Sequence, residues 1–247
     1  MDFESWRGTV GLILPTMRPG ALEELIRLLP EGVGVIPLFL DVRHGTQEEF
    51  EGAVGAIEAK VKELAQAGVD LVHQIGAPPM MVQGLKRETE LVKDWEAKYG
   101  KPILTTPVTQ TEAMHALGMQ RIVGLTYIPG PINDVFAQYF RDAGFDVLAL
   151  EGLDVPFHRA GQLSSHEVYS AAKALFLRHQ RADGIYLLGA GWRTLDIVAP
   201  LEQDLGVPVV HAQPARVWAI QRRLHIRQPL SGYGRLLETL PPPAASP

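Results

Sequence analysis

The 247-residue chain contains no cysteine. That absence excludes disulfides, thiolate-ligated zinc, iron–sulfur clusters and any mechanism built on a thiol nucleophile or thiol proton carrier. Basic residues are few and scattered: 23 Lys and Arg stand against 28 Asp and Glu, for a net charge of −5. Without a cationic cluster no nucleic-acid partner is expected. No apolar run approaches the roughly 20 residues of a membrane span, and Met1-Asp2-Phe3-Glu4 lacks the basic and apolar regions of a leader peptide. No membrane contact and a cytoplasmic location are therefore expected. The histidine spacings fit no metal motif, so no metal is expected.

What is present is a chain with 46% hydrophobic residues, enough to bury a substantial core in one large domain or two small lobes. Apolar, β-branched runs alternate with helical patterns. Strands are predicted over 9–14, 34–40, 70–75, 102–105, 121–126, 145–150, 183–188 and 207–211, and this alternation indicates parallel, doubly wound α/β sheets. Pro37 within the second run predicts a sheet edge. Capping boxes are read at Thr46/Glu49, opening one long helix toward Ala67, at Thr109/Glu112, and at Ser164/Glu167. The tail 241–247 reads as disordered.

The pattern repeats. Asp70-Leu71-Val72-His73-Gln74-Ile75-Gly76-Ala77 matches Asp183-Gly184-Ile185-Tyr186-Leu187-Leu188-Gly189-Ala190 at an offset of 113, and Val10-Gly11-Leu12 matches Val123-Gly124-Leu125 at the same offset. Two pseudo-repeat lobes are inferred, 1–114 with 213–247 and 115–212, each presenting one Gly-Ala turn to a cleft between them. The stretch through Gly189-Ala190-Gly191-Trp192-Arg193-Thr194 reads as a strand, a tight turn and a helix start, whose backbone N–H groups suit a carboxylate or phosphate. A dinucleotide fingerprint is discounted: Thr194 replaces the third glycine, and Val210 and His211 stand where an acidic residue would hold a ribose.

Gly11-Leu12-Ile13-Leu14-Pro15, Asp183-Gly184-Ile185 with Gly191 and Thr194-Leu195-Asp196, Leu205-Gly206-Val207-Pro208-Val209-Val210 with Pro214-Ala215, and Gly232-Tyr233-Gly234-Arg235-Leu236 resemble the aspartate/glutamate racemase superfamily, in its arylmalonate decarboxylase and maleate isomerase branch. The resemblance spans residues 11–236. It implies two lobes with a catalytic cysteine on one or both turns, at positions held here by Gly76 and Gly189. Two-base racemization and thiol addition to an alkene are thereby lost. Decarboxylation keeps its scaffold and lacks the family's proton donor. The first-lobe Thr and Ser that bind a carboxylate correspond to Ala77 and Pro78, so the anion site is expected on the second lobe, at Ala190, Gly191 and Trp192.

Candidate catalytic residues are His211, at the end of the last strand, and Tyr127, close to a substrate-binding tyrosine of the family, although a strict match falls on Ile128. Each has a plainer reading, His211 as a hydrogen-bonded structural histidine and Tyr127 as strand-end packing. His73 is read as structural. Pro15, Thr16, Arg18, Gly76, Ala77, Gly189, Ala190, Gly191, Trp192 and Arg193 are the candidate substrate-binding residues. One of Arg18, Arg43 and Arg193 is expected to clamp a carboxylate, and Trp192 either lines an apolar pocket or packs the helix. His44, His158 and His166 are expected to be exposed. The leading function is a cofactor-free decarboxylase or lyase on a small carboxylic acid. Its rivals are a carboxylate-binding protein without activity and a non-thiol isomerase or racemase. A homo-oligomer is left open.

Overall fold

The computed structural model describes residues 5–17 and 20–243. The chain forms two compact units, Met1–Val108 with Ile220–Gln228 and Thr109–Ala219 with Pro229–Pro247. The first holds β1 (Gly8–Leu14), β2 (Val33–Phe39), β3 (Leu71–Gln74) and β4 (Ile103–Thr105) in a parallel sheet of order β2-β1-β3-β4. The second holds β5 (Arg121–Thr126), β6 (Asp146–Gly152), β7 (Gly184–Leu187) and β8 (Val209–His211), also parallel, in the order β6-β5-β7-β8. The two orders are the same, and the offset of 113 relates Gly8 to Arg121 at the start of β1 and β5 and Leu71 to Gly184 at the start of β3 and β7.

The sequence explains this arrangement. Central parallel strands are covered on both faces and read as continuous apolar runs, as in Gly11-Leu12-Ile13-Leu14 of β1 and Gly184-Ile185-Tyr186-Leu187 of β7, all buried. Pro37 lies in β2, at an edge of its sheet opposite Leu12, where a missing N–H is tolerated. Because β1 neighbours β3, and β5 neighbours β7, the loops leaving their C-terminal ends lie side by side within each unit. In such sheets this is where ligands bind.

Several local expectations are corrected. The long helix from Thr46 is two helices, Gln47–Glu51 and Val54–Gln66, interrupted at Gly52. Thr46 accepts the Glu49 N–H, but the Glu49 carboxylate accepts from the N–H groups of Arg43, His44 and Gly45. Thr109 lies inside the helix Thr106–Ala116, which begins one residue before Pro107, and so is not its N-cap. The Ser164/Glu167 box is complete. Among the described residues no helix is long and apolar enough to cross a membrane.

Of the stretch 213–247 assigned to the first lobe from the sequence, Ile220–Gln228 groups with the first unit and the segment from Pro229 with the second, and Glu202 shows how that segment is fastened there. One carboxylate oxygen accepts from the Val209 N–H at 2.9 Å and the other from the Arg235 N–H at 2.7 Å. Gly234 leaves no room for a side chain, since a Cβ would stand 2.6 Å from Val198. Burial raises the Glu202 pKa, and the two N–H donors oppose that shift. Glu202→Ala is expected to strand both donors and cost about 2–4 kcal/mol, read as a calorimetric Tm lowered by about 5–15 °C. An unchanged Tm would mean that apolar packing alone holds the segment.

Candidate active site

In the second unit, β7 gives way to an irregular turn. Leu188 makes the last strand-like bond, N–H to Leu125 carbonyl at 3.0 Å, and Gly189 then takes φ +60°, a conformation that favours glycine. Among the described residues, none of the backbone N–H groups of Gly189, Ala190, Gly191, Trp192 and Arg193 donates to a protein acceptor. Successive free N–H groups of this kind form a concave site for an anion. The expected helix start is displaced: a 3-10 turn covers Leu195–Ile197 and the helix proper is Val198–Leu205. The donors are therefore those of a loop. It is anchored by the Ser165 hydroxyl, which lies 3.1 Å from the Arg193 carbonyl and 2.8 Å from both oxygens of Asp196.

Tyr127 covers this turn. It follows β5 in a loop pinned by Asn133, whose amide donates to the carbonyls of Ile128 at 2.7 Å and Gly130 at 3.1 Å, while the Thr126 hydroxyl donates to Asn133 Oδ1 at 2.7 Å. The Tyr127 ring packs edge-on to Trp192, with centroids 5.2 Å apart at 70°, and against Phe157 at 6.1 Å. A Cβ on Gly189 would lie 3.0 Å from Tyr127 Oη, and one on Gly191 only 2.8 Å from both Cζ and Oη. The hydroxyl thus occupies space that a side chain at position 189 would enter. Ile128, the strict sequence match, is buried, and its carbonyl is taken by Asn133.

His211 ends β8 fully buried. Its Nδ1 accepts the Gln213 N–H at 3.3 Å, which leaves the proton on Nε2, 2.7 Å from Thr194 Oγ1. Burial, helped by the nearby charge of Arg216 and opposed by a hydrogen bond to the Gly189 backbone, lowers its pKa from 6.5 to about 3. At neutral pH His211 has no imidazolium proton to give. The geometry supports a positioning role, holding Thr194 and the Gly189 turn together.

The titration of His211 has a signed consequence. The unfolded histidine binds its proton near pH 6.5 and the folded one near 3, so its stabilising contribution is complete above 6.5 and is lost as pH falls between those values. Stability of the wild-type protein is expected to decline over that window, and His211→Gln should flatten that part of the Tm-against-pH curve. Identical slopes in the two proteins would place the proton uptake elsewhere.

The first unit brings another group of candidates together. Gly76 has φ +93°, and a Cβ there would meet Pro15 Cγ at 2.8 Å. The Gln74 amide donates to the carbonyls of Ile75 at 2.7 Å and Gly76 at 2.9 Å, fixing the turn, and the Thr106 hydroxyl donates to the Gln74 carbonyl at 3.1 Å. Pro78 and Pro79 open the short helix Pro78–Met81, where their missing N–H groups cost little. Ala77 is buried and Thr16 half-buried. Gln74 and Thr105 face each other across β3 and β4, and Gln74 Oε1 and Thr105 Oγ1 are buried without a partner among the described residues.

The remaining candidates separate. Arg18 lies outside the described residues. Arg43 is exposed and forked onto Asp41, an ion pair in solvent. The Arg193 side chain is exposed, beside the turn. His73 is buried, with Nδ1 3.0 Å from the Gln74 carbonyl. His44, His158 and His166 are exposed. Sequence reasoning missed Thr194, Asn133 and Phe157, which position the turn and Tyr127. It also missed Gln74 and Thr105, whose only signal was a polar residue at the C-terminal end of two buried strands.

The family model described as arylmalonate decarboxylase matches residues 10–237. An arylmalonate decarboxylase of Bordetella bronchiseptica is 23% identical over 232 residues, covering 93% of this chain and 96% of that protein. The crystal structure of the maleate isomerase Iso from Pseudomonas putida S16 superimposes with a TM-score of 0.87 at 21% identity, covering 94% of this chain and 99% of that one. A cysteine-to-serine variant of the Nocardia farcinica maleate cis-trans isomerase, solved with a covalently bound succinylcysteine intermediate, has a TM-score of 0.83 at 22% identity, covering 94% and 98% of the two chains.

Proposed function

Since the chain belongs to the arylmalonate decarboxylase family, we propose that it is a cofactor-independent decarboxylase or related lyase acting on a small, aryl-substituted carboxylic acid through an enediolate, with Tyr127 in the role of proton donor. The observation that carries this reading is the Tyr127 hydroxyl standing over a turn of unpaired N–H groups, 3.0 Å from where a side chain at Gly189 would begin. One carboxylate of the substrate accepts from the turn. As the other leaves as carbon dioxide, the electron pair of the broken C–C bond passes into the retained carboxylate, giving an enediolate whose charge the same N–H groups stabilise. Tyr127 then gives its proton to the α-carbon, and water reprotonates the phenolate. The net change is one carbon dioxide out and one proton in.

Tyr127, Trp192 and Phe157 supply an aromatic wall suited to an aryl group. Isomerisation through a cysteine adduct, of the kind captured in the Nocardia farcinica enzyme variant, has no counterpart in a chain without cysteine. The test is a thermal-shift series with malonates, maleate, aspartate, glutamate and arylacetates, each hit followed by NMR for product. Stabilisation and turnover by an arylmalonate are expected. Stabilisation without product from any acid would favour a binding protein, and stabilisation by none would remove the carboxylate site.

A further inference from the structure

Trp192 presents a polar atom that neither the turn's folding nor the proposed chemistry has used. Its side chain is buried, and among the described residues Nε1 has no hydrogen-bond partner. An indole N–H can only donate, and buried donors in native proteins are almost always paired. Trp192 also belongs to the turn itself, following Gly191 directly, and its ring meets Tyr127 edge-on at 5.2 Å, the same Tyr127 that lies against Gly189 and Gly191. If position 192 served only as an apolar wall, phenylalanine or leucine would fill it without a buried donor.

We propose that the Trp192 indole N–H donates to a substrate carboxylate oxygen at the Gly189–Arg193 turn, and that it makes the site select a carboxylate over the neutral amide of the same acid. This rests on the reading of the turn as the acid-binding site and names the side-chain atom that sets its selectivity. A carboxylate offers two acceptor oxygens and no donor, so it satisfies the indole N–H together with several backbone N–H groups. An amide turns an NH2 group toward donors and leaves one of them unpaired. Trp192 acts here in binding, while the proton transfer stays with Tyr127.

The experiment uses phenylacetate and phenylacetamide as probes, with the full-length protein carrying 15N-labelled tryptophan. Saturable movement of the Trp192 indole resonance with phenylacetate is expected, the signal being assigned from its loss in Trp192→Phe. In a second variant, β-(3-benzothienyl)alanine at position 192 keeps the shape of the side chain and deletes the N–H alone. Phenylacetate affinity should then fall about 10–100-fold, with phenylacetamide affinity and Tm unchanged. Equal phenylacetate affinity in the wild type and this variant would overturn the proposal and leave the acid-binding turn standing. A lowered Tm with unchanged affinity would overturn it by assigning the N–H to the folded core. Absence of phenylacetate binding to the wild type would overturn both readings.

Discussion

Tyr127→Phe is expected to lower kcat by about 10²–10⁴-fold, the range in which a positioned general acid contributes, with little change in Tm. The substitution removes one oxygen and keeps the ring, so the contacts with Trp192 at 5.2 Å and Phe157 at 6.1 Å survive. The loop that carries Tyr127 is held by Thr126 and Asn133, neither of which the change touches. KM should change less than kcat, because the unpaired N–H groups of the turn remain for the carboxylate. Steady-state kinetics on the best acid from the thermal-shift series would show this directly. Turnover unaffected by the loss of the hydroxyl would assign the proton to another group or to water.

The second large effect is expected from Gly191→Ala. Gly191 does not need a left-handed backbone, so the cost falls on its neighbour: the new Cβ would stand 2.8 Å from Tyr127 Cζ and Oη. Tyr127 must yield, and displacement of a catalytic group by about 1 Å costs on the order of 10²-fold in rate. The Gly191→Ala and Tyr127→Phe effects should not add. Once the hydroxyl is gone, moving the ring loses little more, and the double variant should be close to Tyr127→Phe alone. Additive losses would mean that Gly191 serves the turn by some route other than giving room to Tyr127.

These two residues also mark how far the sequence could be read. The parallel sheets followed from apolar runs such as Gly11–Leu14 and from the offset of 113, and the structure gives both units one strand order. The edge position of β2 was legible in Pro37. Helix starts were less so. Thr109 carries a capping pattern but does not start its helix, which begins earlier, at Thr106 beside Pro107, where the Thr106 hydroxyl bonds to Gln74. Gly189-Ala190-Gly191 was legible as a turn, but its separation from the helix was not. That separation depends on Ser165 and His211, which reach it from distant positions in the chain.

Side-chain roles were harder still. A histidine at a strand end matches the pattern of a general acid, but burial, helped by the charge of Arg216, lowers its pKa to about 3, and both ring nitrogens are engaged by Thr194 and Gln213. Which of Tyr127 and Ile128 lies against the turn depends on loop geometry, in which Asn133 takes the Ile128 carbonyl.

Decarboxylation with Tyr127 as the proton donor is tested by 13C NMR of phenylmalonate, labelled in its carboxylates, incubated with the purified wild-type protein in D2O. Release of labelled carbon dioxide is expected, with one solvent deuterium at the α-carbon of the phenylacetate formed and loss of both signals with Tyr127→Phe. Phenylmalonate that binds and stays intact, or carbon dioxide release that persists undiminished in Tyr127→Phe, would contradict it.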